Sequence, residues 1–193
     1  MQENRIRRDI VEAGRRLWER GFVVSNTGNI SVRLSADEVL ITPTRLPKNS
    51  LSEADLVKVD LSGNVISGIQ QPTSELRLHL AVYWIRSDVQ AVVRAHPRYA
   101  SAFSLAGASG DRIVLPASEF PVGSVWTPEA PYLTLEELPA ATQRHIAGCD
   151  ALMMANHGVL TVGADVREAL ARMEMLEHFA AISLHAGQLH GHA

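Results

Sequence analysis

The amino-acid sequence predicts a single mixed α/β domain, spanning residues 1–193, in which helices flank a sheet. Short apolar runs, such as 91–93 and 151–154, are typical of buried strands. Longer stretches, such as 5–20 and 166–189, repeat apolar residues at helical spacing. Hydrophobic residues make up 46% of the chain, which is enough for one sizeable core, and no repeat or linker divides it.

The first part of the chain predicts one helix followed by several short strands. The helix covers residues 5–20 and stops at Gly21, a residue type that favours helix ends. A polar turn at 25–29 runs into an alternating strand, and further strands are expected at 39–41 and 56–61. Because no helix separates these strands, we expect antiparallel pairing rather than a doubly wound fold.

The later part of the chain predicts helices and strands in alternation. Residues 72–75 open a helix, where Thr73 or Ser74 can cap the helix end and Glu75 suits the dipole of its first turn. His79, one turn later, is expected in the core. The remaining predicted elements are a strand ending at Arg94 and His96, helices at 98–106 and 135–147, an apolar hairpin at 151–162, and a last helix from an Asp165 cap to about Leu189.

The composition disfavours nucleic-acid and membrane partners. The formal net charge is −3, and the chain carries no long basic run. No stretch approaches the roughly 18 unbroken apolar residues of a membrane span, and the charged start lacks the apolar core of a signal peptide. The single cysteine, Cys149, excludes an intrachain disulfide. These features predict a cytoplasmic protein.

Two histidines stand at the ends of apolar runs. His96 follows the run 91–93, and His157 follows the run 151–154. Two strands that end in this way can bring both imidazoles to one metal ion. Each histidine can instead pack or form hydrogen bonds locally, since histidine is only sometimes a ligand.

Polar turns supply candidate anion-binding groups. The turn that holds Gly28 and Asn29 has small side chains and backbone N–H groups that can cradle an anion, although a simple hairpin turn has the same composition. Thr73 and Ser74, at a helix start, can hold a phosphate or merely cap the helix. Glu75 is then a candidate acid/base, or a residue that only complements the helix dipole.

Seven short motifs follow one another along nearly the whole chain, at residues 27–33, 41–44, 56–60, 72–75, 95–97, 130–132 and 156–158. Their order resembles that of the class II aldolase and adducin family, in particular its fuculose-phosphate and ribulose-phosphate aldolase branch. Each motif alone is weak, whereas seven in the same order are specific.

The resemblance implies a central, mainly antiparallel sheet with helices on both faces, and a cyclic homotetramer with an active site at each subunit boundary. It also implies a divalent ion, usually zinc, held by a His-x-His pair and a later histidine, and cleavage of a sugar phosphate through an enediolate that the ion stabilises. Carried onto this chain, the metal ligands are His96 and His157, the acid/base is Glu75, and the phosphate ligands are Gly28, Asn29, Thr44, Thr73 and Ser74.

The chain departs from the family at Arg94, which stands in place of the first histidine of the pair. Arginine has no lone pair to give a metal, and its charge repels a dication. Three outcomes stay open. Glu75 completes a two-histidine, one-carboxylate set that suits iron or manganese; Arg94 turns away and a weak metal site survives; or Arg94 replaces the ion and holds an anionic oxygen, so that no metal binds.

Two further departures bear on the substrate. Arg45 follows the Thr-Pro-Thr motif where the family carries glycine, and it either strengthens anion binding or fills the phosphate space. Phe120 stands where the aldolase branch carries a tyrosine that helps to protonate its substrate.

The sequence therefore predicts a divalent-metal-dependent lyase of the class II aldolase type, which cleaves or rearranges a small phosphorylated sugar or related hydroxy compound. Dehydration and decarboxylation stay open beside aldol cleavage, because they need the same enediolate. The alternatives are a non-catalytic, adducin-like binding or assembly module that has lost its metal, and a metal-independent binder or enzyme in which Arg94 and Arg45 grip an anion.

Overall fold

The computed structural model describes residues 2–106, 113, 122–125, 140–154 and 157–190. Within them, five helices and eight strands follow one another as α1 (Gln2–Glu19), β1 (Asn29–Arg33), β2 (Glu38–Ile41), β3 (Val57–Asp60), β4 (Val65–Ser67), α2 (Leu76–Ile85), β5 (Ala91–Ala95), α3 (Arg98–Leu105), β6 (Val122–Val125), α4 (Ala140–Gly148), β7 (Ala151–Met154), β8 (Gly158–Gly163) and α5 (Val166–His190). Two short 3₁₀ turns, Lys48–Ser50 and Glu53–Asp55, lie between β2 and β3.

The described strands form one sheet in the order β4-β3-β2-β1-β5-β8-β7-β6. Neighbouring strands are antiparallel except β6 and β7, which pair in parallel. This confirms the predicted mixed α/β fold with a mainly antiparallel sheet. The helix predicted at 135–147 is described only from Ala140 onward, and its earlier residues lie outside the described part of the chain.

One face of the sheet packs against α1, α3 and α5. Side chains alternate along a strand, so Ile30 and Val32 of β1 share this face with Val93 of β5. They belong to one buried apolar cluster with Leu17 of α1 and Met173 of α5. This cluster is the larger part of the core.

The opposite face packs against α2 and α4. Its apolar cluster joins Val92 of β5 and Ile41 of β2 to Leu80 of α2 and Ile146 of α4. Arg94, two residues after Val92, points to the same face. The α2 side of the sheet therefore carries a charged group at the end of an apolar strand.

Strand register brings separate segments to one corner of this face. Asn29 of β1 lies opposite Arg94 of β5. The turn after β2 meets the segment before α2 through a backbone hydrogen bond from Thr73 N to Thr42 O, 3.2 Å long. The end of β5, the start of β1 and the turn after β2, which are distant in sequence, thus lie at the same corner as the start of α2.

No helix in the described part of the chain combines the length and the apolar character needed to cross a membrane.

A substitution of Leu17 tests how much the larger apolar cluster contributes to stability, because the side chain of Leu17 is fully buried. Leu17→Ala is expected to lower the free energy of unfolding by about 2–5 kcal/mol, since it removes apolar contacts and leaves a cavity. The matched control is Leu189→Ala in the exposed last turn of α5, where the leucine is 78% exposed and the change should stay within about 0.5 kcal/mol. Urea unfolding measures both, and equal effects would contradict the packing described.

Lys48 is a buried cation that the sequence did not single out. Its side chain is 1% exposed, and its ammonium donates to Leu46 O at 3.0 Å. Burial lowers the pKa of Lys48 to about 8, from 10.5. Between these two values the unfolded chain holds a proton that the folded chain has lost, so stability must rise with pH in this window.

Lys48→Met removes that titration. The free energy of unfolding of the unmodified chain, minus that of the variant, is therefore expected to increase as the pH rises from about 8 to about 10. Lys58→Met is the control, because a hydrogen bond to Glu3 raises the pKa of Lys58 and the window then lies above this range. Denaturant titrations at several pH values make the comparison, and a constant difference for Lys48→Met would refute the lowered pKa.

Candidate active site

A polar pocket of about 290 Å³ opens beside the start of α2. The structure brings seven of the eight predicted site residues to its wall, namely Gly28, Asn29, Thr44, Thr73, Ser74, Glu75 and His96. His157, the eighth, lies in the turn between β7 and β8. The wall also includes Asn26, Thr27, Pro43, Arg45 and Arg94.

Gly28 brings the first polar turn against β5. Its φ is +75°, and a Cβ at this position would lie 2.4 Å from Val23 Cγ1 and 3.0 Å from Arg94 O. A side chain therefore fits neither the backbone conformation nor the space. This close approach places the next residue, Asn29, on the pocket wall.

The buried side chain of Asn29 joins three groups of the site. Its amide nitrogen donates to Glu75 Oε2 at 2.5 Å and to Thr73 Oγ1 at 3.1 Å. Its amide oxygen lies 2.5 Å from His79 Nε2. One amide therefore holds a carboxylate, a hydroxyl and an imidazole in fixed relation.

Behind Asn29 runs a chain of buried hydrogen bonds. Burial, aided by the charge of Arg94, lowers the pKa of His79 to about 3, so this imidazole is neutral and has one donor nitrogen. Nε2 is the donor, because it faces the amide oxygen of Asn29. Nδ1 then accepts the hydrogen bond of the Ser31 hydroxyl at 2.7 Å, and Ser31 Oγ accepts from the Tyr83 hydroxyl at 2.8 Å. The prediction that His79 lies in the core is confirmed.

Glu75 and Nη1 of Arg94 form an ion pair, and both residues line the pocket. The Arg94 side chain is 6% exposed and that of Glu75 is 24% exposed. Burial lowers the pKa of Arg94, and the charge of Glu75 opposes this shift, while a guanidinium stays protonated in proteins. Removing one member of such a pair leaves the other charge buried alone, which costs about 3–5 kcal/mol.

Glu75 lies at the N-cap of α2, whereas the sequence predicts it in the first turn. Of the two interpretations of Thr73 and Ser74, helix capping is not observed, because no side-chain cap hydrogen bond forms at the start of α2 among the described residues. Thr73 Oγ1 accepts hydrogen bonds from Asn29 and, at 3.3 Å, from the backbone N–H of Glu75. These bonds stabilise the turn before the helix, and they occupy the hydroxyl that would otherwise be available to cap it.

His96 follows β5 and is fixed by a hydrogen bond from its backbone N–H to Phe22 O, 2.8 Å long. Burial lowers the pKa of His96, the charges of Arg94 and His157 act in the same direction, and Glu75 acts against them. Its buried Nδ1 has no hydrogen-bond partner within the described ranges. Among the described residues, the imidazole of His96 thus keeps one buried nitrogen without a partner.

Gly158 holds the turn of His157 against His96. Its φ is +78°, and a Cβ there would lie 2.3 Å from Ala95 O and 2.7 Å from His96 Cδ2. His157, one residue earlier, is close enough to influence His96 electrostatically. The two predicted metal ligands therefore lie near one another.

Several contributing residues were outside the predicted set. Ser31 and Tyr83 complete the hydrogen-bonded chain behind Asn29. Ser31 shares the polar face of an alternating strand with Asn29, and this pattern could have marked it. Asn26 flanks the Gly28 turn and carried no separate signal. Phe120, the motif at 130–132 and Asn156 lie outside the residues that the structure describes.

Comparison with known proteins places this chain in a family. Residues 8–184 match the family described as Class II Aldolase and Adducin N-terminal domain. The chain belongs to this family. An L-fuculose phosphate aldolase of Methanococcus maripaludis is 35% identical over 170 residues, which are 86% of this chain and 89% of that protein.

Two further proteins are similar to this chain over most of their length. A 3-oxo-tetronate 4-phosphate decarboxylase of Haemophilus influenzae is 34% identical over 180 residues, which are 89% of this chain and 83% of that protein. The crystal structure of L-fuculose-1-phosphate aldolase from Thermus thermophilus has a TM-score of 0.81 at 27% identity, with 98% of each chain covered. The fold predicted from the sequence is thus shared with solved class II aldolases.

Class II aldolases typically use a divalent metal ion, but the side chains present here do not fit a three-ligand site. His96 and His157 offer imidazoles, whereas Arg94 offers a cation, and it lines the pocket instead of turning away. Glu75 is engaged by Arg94 and Asn29, so it does not complete a two-histidine, one-carboxylate set. No group of three His, Cys, Asp or Glu side chains in the described part of the chain is placed to hold a metal.

The contact between Gly158 and His96 yields a test with a matched control. Gly158→Ala is expected to lower the free energy of unfolding by at least about 1–3 kcal/mol, because the position needs a positive φ and has no room for a Cβ. Gly187→Ala, in the open interior of α5, should instead stabilise the protein by about 0.5–1 kcal/mol. Thermal and urea unfolding give both values, and effects of the same sign would contradict the geometry.

Proposed function

We propose that this protein is a lyase that cleaves or rearranges a small phosphorylated hydroxy compound, such as a sugar phosphate or a related acid. The observation that carries this proposal is that one pocket joins the polar turns at Gly28 and Thr44 to the carboxylate of Glu75. The pocket, at about 290 Å³, lies at the lower end of small-molecule sites. It therefore suits a substrate of a few carbon atoms.

The polar turns suit a phosphate group. Thr44, Thr73 and Ser74 present hydroxyls on the pocket wall, and the start of α2 lies beside them. A helix start offers unpaired backbone N–H groups and the positive end of the helix dipole. Arg45 adds a cation on the same wall. The names of the aldolase and decarboxylase relatives both specify a phosphate, which agrees with this assignment.

Glu75 suits the role of proton acceptor and donor. In aldol cleavage it would take the proton of a substrate hydroxyl, the adjacent carbon–carbon bond would break, and its electron pair would pass toward the substrate carbonyl oxygen as an enolate. Decarboxylation and dehydration pass through a similar enolate, so the same pocket serves all three. Asn29 and Arg94 orient the carboxylate for this transfer.

A homotetramer and a cytoplasmic location are part of this proposal. The family resemblance supports the homotetramer, which sedimentation velocity measures directly, and the single cysteine supports the location. A zinc, manganese or iron ion would stabilise the enediolate, but the side chains present do not fit a site for it.

Turnover of a phosphorylated substrate panel tests the proposed reaction. Sugar phosphates and phosphorylated keto acids are incubated with the protein, and phosphorus NMR follows their conversion. Glu75→Gln is expected to lower kcat by about 10²–10⁴-fold with a small change in KM, because it removes the proton acceptor and keeps the shape. Glu12→Gln, exposed on α1, is the control and should leave kcat unchanged.

Two results would overturn the proposal. Turnover that survives Glu75→Gln would exclude the assigned role of this carboxylate. Phosphate binding without turnover of any panel member would favour the non-catalytic binding module.

A further inference from the structure

Arg94 carries a buried charge on the wall of the candidate site. Its side chain is 6% exposed, it lines the pocket, and its one ion pair among the described residues is with Glu75. A guanidinium has five N–H donors. Its Nε has no hydrogen-bond partner within the described chain. With one ion-pair partner among the described residues and five N–H groups, the guanidinium retains donor capacity at a position where the family resemblance implies a metal ligand.

The charges around Arg94 change when Glu75 takes a proton. Before the transfer, Glu75 and Arg94 form a pair with no net charge. After it, Glu75 is neutral, Arg94 has lost its counter-charge, and the negative charge sits on an oxygen of the substrate. In a site shielded from water, the attraction between that oxygen and the guanidinium is strong.

We propose that the guanidinium of Arg94, in place of a divalent ion, holds the substrate oxygen on which negative charge develops. This inference rests on the proposed function. In the step itself, the hydroxyl proton moves to Glu75, the carbon–carbon bond breaks and releases an aldehyde, and its electron pair forms the enolate. The proton on Glu75 then returns to the enolate carbon, so no oxidant, reductant or further reactant is needed.

The side chains around the pocket favour Arg94 over a divalent ion in this role. A dication beside His96 would lie next to a fixed positive charge that cannot be removed by deprotonation. Arg94 also holds the carboxylate that could have served as a third ligand. A preformed cation needs no reorganisation when the enolate appears.

Two small probes isolate the oxygen-binding role from phosphate binding. 2-Phosphoglycolate carries a phosphate and a carboxylate, whose two oxygens share one negative charge as in an enolate. 2-Hydroxyethyl phosphate has the same skeleton with a neutral hydroxyl. Isothermal titration calorimetry measures the Kd of each probe with and without a chelator.

Glu75→Gln frees Arg94 from its internal partner and is expected to bind 2-phosphoglycolate at least about tenfold more tightly than the unmodified protein. The same variant should bind 2-hydroxyethyl phosphate with a Kd within about twofold of the unmodified value. Arg94→Gln should bind 2-phosphoglycolate more weakly than 2-hydroxyethyl phosphate, because Glu75 then lacks its counter-charge and repels the carboxylate. Chelation should change none of these values.

The double variant Glu75→Gln/Arg94→Gln separates attraction by Arg94 from simple loss of repulsion by Glu75. It should bind both probes equally. Because it leaves neither charge unpaired, it also carries the test if Arg94→Gln alone fails to fold. Thermal unfolding checks that each variant is folded.

Each contrary result has a distinct meaning. If the double variant binds 2-phosphoglycolate as tightly as Glu75→Gln, or if Glu75→Gln gains no affinity, Arg94 does not hold the oxygen. If a chelator weakens the binding of 2-phosphoglycolate to the unmodified protein and zinc restores it, a metal holds that oxygen. If neither probe binds, the phosphate pocket itself is wrong, and the proposed function falls with this inference.

Discussion

The buried ion pair between Glu75 and Arg94 is the interaction on which the candidate site depends. It joins the end of β5 to the start of α2 and fixes two opposite charges at the pocket wall. Each charge is costly to bury alone and tolerable beside the other. Because the pair is neutral as a whole, neither charge needs an external ion. A metal ion and the guanidinium would compete for the carboxylate of Glu75, and in the structure this carboxylate is paired with the guanidinium of Arg94.

The geometry of the pair rests on the sheet and on a polar network behind it. Antiparallel register sets Asn29 opposite Arg94, so the Asn29 amide reaches the carboxylate from the neighbouring strand. His79 and Ser31 support that amide from the buried side. A neutral imidazole with a defined donor nitrogen leaves one arrangement of these hydrogen bonds. The carboxylate is therefore oriented from two directions at once.

Much of the fold was predictable from the sequence, because apolar residues at helical spacing mark α1 and α5 and a continuous apolar run marks β5. β4 was missed because all three of its residues are exposed at a sheet edge and show no alternation. The turns around Gly28 and Glu75 were predicted from motifs that follow one another along the chain. That the two turns line one pocket was visible only in the structure. The pairing of Glu75 with Arg94 could not be predicted, since it depends on strand register and on where α2 begins.

The alternation of side chains along β5 separates chemistry from folding. Val93 and Ala95 face the large apolar cluster, while Arg94 between them faces the pocket. An exchange at this one position changes the charge of the pocket, whereas Val93 and Ala95 keep their places on the apolar face. Two of the six arginine codons differ from a histidine codon by a single base. A strand of this kind lets one position set the charge of a pocket while the positions on either side of it build the core.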